Sequence, residues 1–253
     1  MPRSVALAGS FLASQLRGWR GTNAFRPVEK QPEKPLELYE YEACPYGRLV
    51  REALTELDLD AMIYPCPRGG KRFRPAVKKR GGKEQFPFLV DPNTGAEMYE
   101  SADIIAYLRK TYAGRNTPVR PLRRMLAVAT GELASLARGL RGTRARASKA
   151  PKRPLELFSF ESSPFSRLVR ERLCELEIPY LLRNTGKGRW TDLGPPALRD
   201  RLYKAPKDTG RNRKVLAERT GRVQLPYLVD PNTDEEMYES AAIIAYLEDT
   251  YAA

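Results

Sequence analysis

An internal repeat is the feature that most constrains the fold of this 253-residue sequence. Residues 45–52, PYGRLVRE, return as residues 164–171, PFSRLVRE, at an offset of 119. Residues 86–94, FPFLVDPNT, return as residues 225–233, LPYLVDPNT, at an offset of 139. The chain therefore contains two copies of one structural unit. The second copy carries 20 extra residues between the matched blocks, and we expect them within residues 185–220.

Both copies predict the same order of elements. An alternating apolar strand leads into a helix whose proline lies in the tolerated first turn, and a second strand follows. A basic, glycine-rich stretch then precedes two short strands joined by a turn, and a last helix. In copy one the strands are expected at residues 36–41, 61–66, 88–90 and 97–99 and the helices at 45–57 and 101–112; in copy two the clearest matches are 155–160, 164–176, 180–183 and 240–251. The predicted fold class is α/β, with two tandem β-α-β, β-β-α domains.

The net charge of +13 lies in the connections and not in the predicted domains. The extension 1–35 carries +4, copy one (36–113) is neutral, the linker 114–153 carries +10, and copy two (154–253) carries −1. Such a linker can touch phosphates or an acidic membrane through charge alone, but we expect it to be solvated, and nucleic acid binding is not predicted. Spaced apolar residues at 119–136 predict a helix in the linker that packs against a domain.

Composition excludes several kinds of site. Histidine is absent, which excludes histidine-based triads and histidine metal sites. The three cysteines form no CxxC pair and no zinc set, so no metal is expected, and their odd number indicates a reducing compartment. No apolar run approaches the roughly 20 residues that span a bilayer. The first 28 residues have several arginines and no acidic residue, which is typical of an organelle transit peptide or its remnant.

Cys44 is the best candidate for chemistry. It stands in a Cys-Pro-Tyr-Gly turn between a predicted strand and helix, and copy two has Ser163 in its place. A thiol at a helix N-terminus meets unpaired N–H groups and the positive end of the helix dipole, so we expect its pKa to be lowered. Arg48, one turn along, can add to this effect; the alternative is an ordinary surface charge. Cys174 is expected in the core.

The cysteine turn and the Phe-Pro or Leu-Pro pair before the third strand resemble the thioredoxin superfamily, in its glutaredoxin and glutathione S-transferase N-terminal branch. The chain further resembles plant and algal plastid proteins with tandem glutathione S-transferase N-terminal-like domains. The segments YPCPRG and QFPFLVDPNTG carry this resemblance, at residues 64–69 and 85–95. It covers both copies and implies two thioredoxin-like domains, a redox function and a chloroplast location, with the mitochondrion as the alternative.

The resemblance also implies a glutathione site in copy one. Phe86 would offer its backbone N–H and C=O beside a cis Pro87, while Glu100 and Ser101 would hold the γ-glutamyl end at a helix N-terminus. Tyr46 belongs to the same implied site. Each has a structural alternative, since Pro87 can simply begin a strand and Ser101 can simply cap a helix. We expect copy two to be degenerate, although its serine could bind a glutathione thiolate. The counterparts of these residues in copy two are Ser163, Leu225, Pro226, Glu239 and Ser240.

The turns restrict the mechanism. Gly47 and Ser166 occupy the second turn position, so neither turn can close a disulfide. We expect a monothiol oxidoreductase in which Cys44 takes the glutathionyl group from a substrate and glutathione, the co-substrate, releases it. Cys66 can resolve the intermediate only if its strand ends near the turn. The main alternative is a non-catalytic scaffold that binds glutathione or a protein partner. Minor alternatives are an iron–sulfur cluster binder and a glutathione transferase, for which the linker is too short to supply a helical domain.

Overall fold

The computed structural model describes residues 3–116, 121–192 and 207–253. Copy one and the segments around it contain α1 (Arg3–Leu16), β1 (Leu36–Glu40), α2 (Pro45–Leu57), β2 (Ala61–Pro65), α3 (Arg74–Gly81), β3 (Phe88–Asp91), β4 (Ala96–Met98), α4 (Ser101–Ala113) and α5 (Pro121–Ala137). Copy two contains β5 (Leu155–Ser159), α6 (Pro164–Glu175), β6 (Tyr180–Asn184), a 3₁₀ turn (Trp190–Asp192), α7 (Arg211–Thr220), β7 (Tyr227–Asp230), β8 (Glu235–Tyr238) and α8 (Ser240–Tyr251).

The strands of the described residues form one sheet in the order β4-β3-β1-β2-β6-β5-β7-β8. In each copy the first two strands are parallel and the other pairs antiparallel. The copies join where β2 pairs antiparallel with β6, with Ile63 opposite Tyr180. This pairing covers one edge of each copy, at β2 and at β6, and leaves β4 and β8 at the edges of the joined sheet. One apolar cluster runs through both copies, from Leu38 and Leu54 to Leu157 and Leu173.

The predicted α/β fold with two thioredoxin-like units is confirmed. Helix α2 begins and ends where the sequence pattern predicts, and the predicted strands differ from the observed ones by a residue or two. The linker helix predicted at residues 119–136 appears as α5, although residues 117–120 lie outside the described residues. The range 185–220, within which the 20 extra residues are expected, contains the 3₁₀ turn and α7, and its residues 193–206 also lie outside the described part. Helix α7 corresponds to α3 at the offset of 139, so the extra residues precede it. Within the part that the structure describes, every helix is too short or too polar to cross a membrane.

The N-terminal segment packs into the fold, which corrects its interpretation as an extension outside the domains. Helix α1 lies against α5 and against α6 of copy two, while α5 lies against α2 of copy one. Ser10 Oγ donates a hydrogen bond to the Pro164 carbonyl at 2.8 Å, and Ser14 Oγ donates to the Ser162 carbonyl at 2.7 Å. The alanines and serines that are typical of a transit peptide also allow helices to pack closely, so composition alone could not separate the two.

The repeat is longer than the strand and helix matches indicate. Residues 17–22, RGWRGT, correspond to residues 138–143, RGLRGT, at an offset of 121. Gly21 and Gly142 have φ values of 71° and 76°, which L side chains rarely adopt. A Cβ at Gly21 would lie 2.7 Å from Glu161 Cβ, and one at Gly142 would lie 2.8 Å from Glu42 Cβ. Each copy therefore begins with a helix and an RGxRGT turn, and the two copies exchange these helices.

Charged side chains fill the region where the copies meet. We call this buried cluster the charged junction; it consists of Arg17, Arg48, Arg51, Arg138, Arg167, Arg170, Glu40, Glu42, Glu52, Glu161 and Glu171. Arg138 comes from the linker and pairs with Glu171 at 2.7 Å, just as Arg17 pairs with Glu52 at 2.7 Å. The prediction of a solvated linker is therefore wrong for Arg138, because its side chain reaches from the end of α5 to the buried Glu171 of α6.

Candidate functional site

The cysteine turn of copy one lies between β1 and α2. Cys44 is the N-cap residue of α2, with extended backbone dihedrals, and Pro45 follows in the first turn. Its Sγ accepts a hydrogen bond from the backbone N–H of Gly47 at 3.3 Å. The thiol is 2% exposed. The local sequence thus produces a helix start that is capped by Cys44, whose sulfur faces the first backbone N–H groups as the side chain of an N-cap residue does.

Burial raises the pKa of the Cys44 thiol above its ordinary value. The backbone N–H groups of Gly47 and Tyr46 oppose this rise, whereas the negative charge of Glu40 adds to it. The expectation of a lowered pKa is wrong, because removing water from the thiolate outweighs the helix terminus. The neighbouring hydroxyl of Tyr41 is affected as well, since burial and Cys44 together raise the pKa of Tyr41.

Glu40 is a site residue that sequence reasoning missed. Its carboxylate is 2% exposed and pairs with Arg51 of α2. Burial raises the pKa of Glu40, although Arg51 opposes the rise. A Cβ at Gly47 would lie 2.6 Å from Glu40 Oε2, so the second turn position has no room for a side chain while Glu40 is in place.

The equivalent turn in copy two differs at both positions together. Ser159 stands where copy one has Glu40, and Ser166 stands where it has Gly47. Ser166 Oγ donates to Ser163 Oγ at 2.8 Å. The paired change of positions 40 and 47 between the copies was the sequence signal that could have revealed the contact.

Aromatic side chains and a cis proline face the cysteine turn. The Phe86-Pro87 and Leu225-Pro226 bonds are both cis. The ring of Phe86 meets the ring of Tyr41 edge to face, with centroids 6.3 Å apart. The Arg74 guanidinium lies 4.7 Å from the centroid of the Phe86 ring. Because β1 and β3 are antiparallel with Tyr39 opposite Phe88, the proline bond lies at the same end of the sheet as the cysteine turn.

Helix α4 begins at that end of the sheet. Its N-cap residue, Glu100, has a φ of 64° and makes no side-chain capping bond. The next residue, Ser101, is 1% exposed, and its Oγ has no hydrogen-bond partner among the described residues. The hydroxyl of Ser101 is therefore not used to cap the helix. Copy two repeats this arrangement at Glu239, with a φ of 68°, and at Ser240, whose Oγ is likewise buried and unpartnered within the described residues.

The family described as glutathione S-transferase, N-terminal domain, matches residues 38–116 and 157–253, one segment in each copy. The chain belongs to this family. Among solved structures it is similar to a trimeric glutathione transferase, TDR1 of Leishmania, at 12% identity and a TM-score of 0.30, over 87% of this chain and 68% of that chain. This likeness is too remote to carry a functional argument. No curated protein sequence matches the chain.

In this member of the glutathione S-transferase N-terminal family, a cavity of about 690 Å³ adjoins the cysteine turn. It lies between the turn, the start of α4, and α5, and Tyr46 is 39% exposed at its edge. The other lining residues are Ala102, Asp103, Ala106, Pro121, Arg124, Met125, Val128, Ala129 and Glu132. The linker, predicted to be too short to supply a helical domain, contributes one wall of this cavity through α5.

The structure separates Arg48 from this site. Arg48 is 2% exposed and lies in the charged junction, so it is not a surface charge. Glu40 and Arg51 are the charges that act most on the thiol, in place of Arg48. The amphipathic helix pattern could not reveal this, because the face that carries Arg48 is covered by the other copy.

The two remaining cysteines are structural in their contacts. Cys66 is fully buried, and its thiol donates to the Tyr64 carbonyl at 3.4 Å. Burial raises the pKa of Cys66, and its role as a resolving thiol stays a prediction. Cys174 donates to the Gly142 carbonyl at 3.1 Å, in the core as expected. Within residues 3–116, 121–192 and 207–253, no cluster of three or more Cys, Asp or Glu side chains has the arrangement of a metal site.

Proposed function

We propose that the chain is a glutathione-dependent monothiol oxidoreductase that acts through Cys44. The observation that carries this proposal is the joint position of three groups at one end of the sheet: the capped sulfur of Cys44, the Phe86 residue before β3 and the unpartnered hydroxyl of Ser101. A buried hydroxyl without a partner at a helix N-terminus suits the charged γ-glutamyl end of glutathione. Membership of the glutathione S-transferase N-terminal family supports glutathione as the ligand.

The reaction would proceed in two exchanges. The Cys44 thiolate attacks the glutathione sulfur of a mixed disulfide, which forms a Cys44–glutathione disulfide and breaks the bond to the substrate sulfur. The substrate leaves as a thiolate and takes a proton from water. The thiolate of a second glutathione then attacks the bound glutathionyl sulfur, releases oxidised glutathione and restores the Cys44 thiolate. Because Gly47 carries no thiol, the turn has no second cysteine to complete the cycle, and in this proposal glutathione takes that role.

The cavity beside Tyr46 supports a second substrate of moderate size. Apolar side chains from α5 and the alanines of α4 line it, with Arg124, Asp103 and Glu132 as charged groups. Such a lining suits an extended peptide or a small apolar molecule that carries the reacting sulfur. The same cavity would also hold an apolar electrophile, so conjugation of glutathione is the related transferase activity to assay.

A second candidate function is a non-catalytic glutathione-binding scaffold. The observation that favours it is the 2% exposure of the thiol, which raises the pKa of Cys44 and leaves little thiolate at neutral pH. A scaffold needs only the contacts that bind glutathione and does not need a reactive sulfur. The two candidates share the binding site and differ in whether Cys44 turns over.

One experiment separates them. The full chain and its Cys44→Ser variant are assayed for reduction of a glutathionylated peptide with excess glutathione, and glutathione binding is measured by calorimetry. Serine is a matched replacement because copy two carries it at this position, and Cys66→Ser is the control for another buried thiol. Turnover that vanishes in Cys44→Ser and persists in Cys66→Ser supports the oxidoreductase. Binding without turnover identifies the scaffold, and the absence of both refutes a glutathione function.

We also propose a chloroplast location, with the mitochondrion as the alternative. This proposal rests on the resemblance to plastid proteins that residues 64–69 and 85–95 carry. A full-length fluorescent fusion expressed in a plant cell tests it. Signal that coincides with chlorophyll supports the chloroplast, and signal elsewhere refutes it.

A further inference from the structure

The charged junction contains four arginines that are paired. Arg17 pairs with Glu52, and Arg138 pairs with Glu171, both at 2.7 Å. Arg51 contacts Glu161 at 2.8 Å and also Glu40, and Arg170 contacts Glu42 at 3.1 Å and Glu161 at 3.0 Å. These four arginines engage all five glutamates of the junction.

The other two arginines, Arg48 and Arg167, form no ion pair with any described residue. They correspond to each other at the offset of 119, and each is at most 2% exposed. Nε and Nη1 of Arg48 and Nε of Arg167 are buried and have no hydrogen-bond partner in the described part of the chain. Three donor atoms therefore have no partner among the described residues, on two arginines whose charges interact: burial and the charge of Arg48 together lower the pKa of Arg167.

The remaining donors of the two arginines are satisfied unequally. Nη1 of Arg167 donates to the carbonyl of Ser10 at 2.6 Å and to its hydroxyl at 3.1 Å. The position in α5 that corresponds to Ser10 is Gly131, which has no side chain to offer. Arg48 is thus the more poorly satisfied of the pair, because the exchanged helix that covers it lacks the serine.

The charge balance of the junction points to an anion. Six arginines face five glutamates among the described residues of the junction, which leaves an excess of one positive charge. Burial favours the neutral form of Glu40, which would enlarge the excess. Guanidinium groups remain protonated in proteins, so the excess cannot be removed by loss of a proton. A buried charge without a partner is strongly destabilising.

We propose that a small inorganic monoanion of chloride size binds between Arg48 and Arg167, where copy one meets copy two. The anion would accept hydrogen bonds from Nε and Nη1 of Arg48 and from Nε of Arg167. One negative charge balances the excess of the junction, and neither Arg48 nor Arg167 is among the residues that line the cavity beside Tyr46. The anion would therefore stabilise the joining of the copies and does not depend on the proposed function.

The test uses the full chain exchanged into sodium gluconate, whose anion is too large for a buried site between two side chains. The melting temperature is then measured as chloride or bromide replaces gluconate at constant ionic strength. We expect a saturable rise of about 5 °C or more when the halide exceeds its dissociation constant about 100-fold. The Arg48→Met variant should lose the halide-dependent rise, while the control Arg219→Met, which removes an exposed arginine, should keep it.

A second measurement holds even if Arg48→Met does not fold. Crystals of the wild-type chain grown with bromide should show an anomalous scattering peak between the two guanidinium groups. The proposal would be overturned if the melting temperature does not change with halide and the crystals show water-like density and no anomalous peak between the two guanidinium groups. A halide-dependent rise that survives in a folded Arg48→Met variant would overturn it as well, since the halide would then act elsewhere.

Discussion

A side chain at position 47 should be tolerated only when Glu40 is removed. The Cβ of Gly47→Ser would lie 2.6 Å from Glu40 Oε2. The end of a glutamate side chain can usually move aside, but this one is buried and held by Arg51. Overpacking of this kind costs about 1–3 kcal/mol, and replacing a helical glycine returns roughly 0.5 kcal/mol. We therefore expect Gly47→Ser alone to destabilise the fold by about 1–2 kcal/mol.

The double variant Glu40→Ser with Gly47→Ser reproduces the pair found in copy two. Glu40→Ser leaves Arg51 paired with Glu161, so its own effect should be moderate. In the double variant the clash is absent, and the new serine can hydrogen-bond Cys44 as Ser166 bonds Ser163. The cost of the Gly47 change should then fall to near zero, which is a coupling energy of at least about 1 kcal/mol.

Urea unfolding of the wild type, both single variants and the double variant measures this coupling. Ser166→Ala in copy two is the control, because no carboxylate opposes a side chain there, and it should cost less than about 1 kcal/mol. Effects of Gly47→Ser and Glu40→Ser that add within about 0.5 kcal/mol would refute the reasoning. Such a result would mean that Glu40 does not close the second turn position.

Three further perturbations test the electrostatics. Arg170 and Arg51 overcome burial and hold the pKa of Glu161 well below its usual range, so Glu161→Gln should destabilise the fold by about 3–5 kcal/mol. The control Glu236→Gln removes an exposed carboxylate and should cost at most about 1 kcal/mol in the same unfolding assay. Equal effects of the two variants would contradict this prediction. Burial raises the pKa of Asp58 to about 7, so the wild type loses stability as the pH rises from about 4 to 7. The melting temperature of Asp58→Asn should exceed that of the wild type at pH 8 and equal it at pH 4. A lower melting temperature of the variant at pH 8 would contradict this prediction. Alkylation of Cys44, followed by mass spectrometry, should accelerate about tenfold per pH unit from 7 to 9, and a plateau below pH 8 would show a lowered pKa instead.

The sequence predicts the helices and strands of each copy, but it does not predict how the two copies pack together. The repeated PYGRLVRE segment predicts the bounds of α2 because its apolar spacing and its proline act locally. The same segment hides the charged junction, since arginines on an amphipathic helix are expected at the surface. They are buried because β2 and β6 pair edge to edge, which turns α2 and α6 toward each other. A single thioredoxin-like unit gives no indication of what covers that edge.

The exchange of α1 and α5 between the copies was missed for a different reason. Helices α1 and α5 match at the offset of 121, but the match lies before the strand and helix blocks that define the repeat; its identical pairs are Arg3 and Arg124, Ala6 and Ala127, Ala8 and Ala129, Leu12 and Leu133, Ala13 and Ala134, and Ser14 and Ser135. Both helices place small residues on the buried face, such as Ser14 and Ser135. Each of these serines donates to a carbonyl of the cysteine or serine turn that its helix covers, to Ser162 and to Ala43. The match continues through the RGxRGT turn, where Gly21 and Gly142 lie too close to Glu161 and Glu42 for a side chain. A sequence match of this kind shows the duplication but not which copy each helix covers.

Copy two keeps the groups that would hold glutathione and has lost those that would react with it. Its cis Leu225-Pro226 bond and the unpartnered Ser240 hydroxyl match copy one, whereas Ser163 Oγ accepts from both Ser166 Oγ at 2.8 Å and Ser166 N–H at 3.3 Å. A serine whose lone pairs are engaged, with no histidine in the chain, is a poor nucleophile.

We therefore expect copy two to bind without reacting. Calorimetry on the Cys44→Ser chain should give two glutathione molecules per chain, and Ser240→Ala should remove one of them while the Ser101 site remains. The mirror variant Ser101→Ala should remove the other. A single site that survives Ser240→Ala would show that copy two serves only to complete the sheet and the junction.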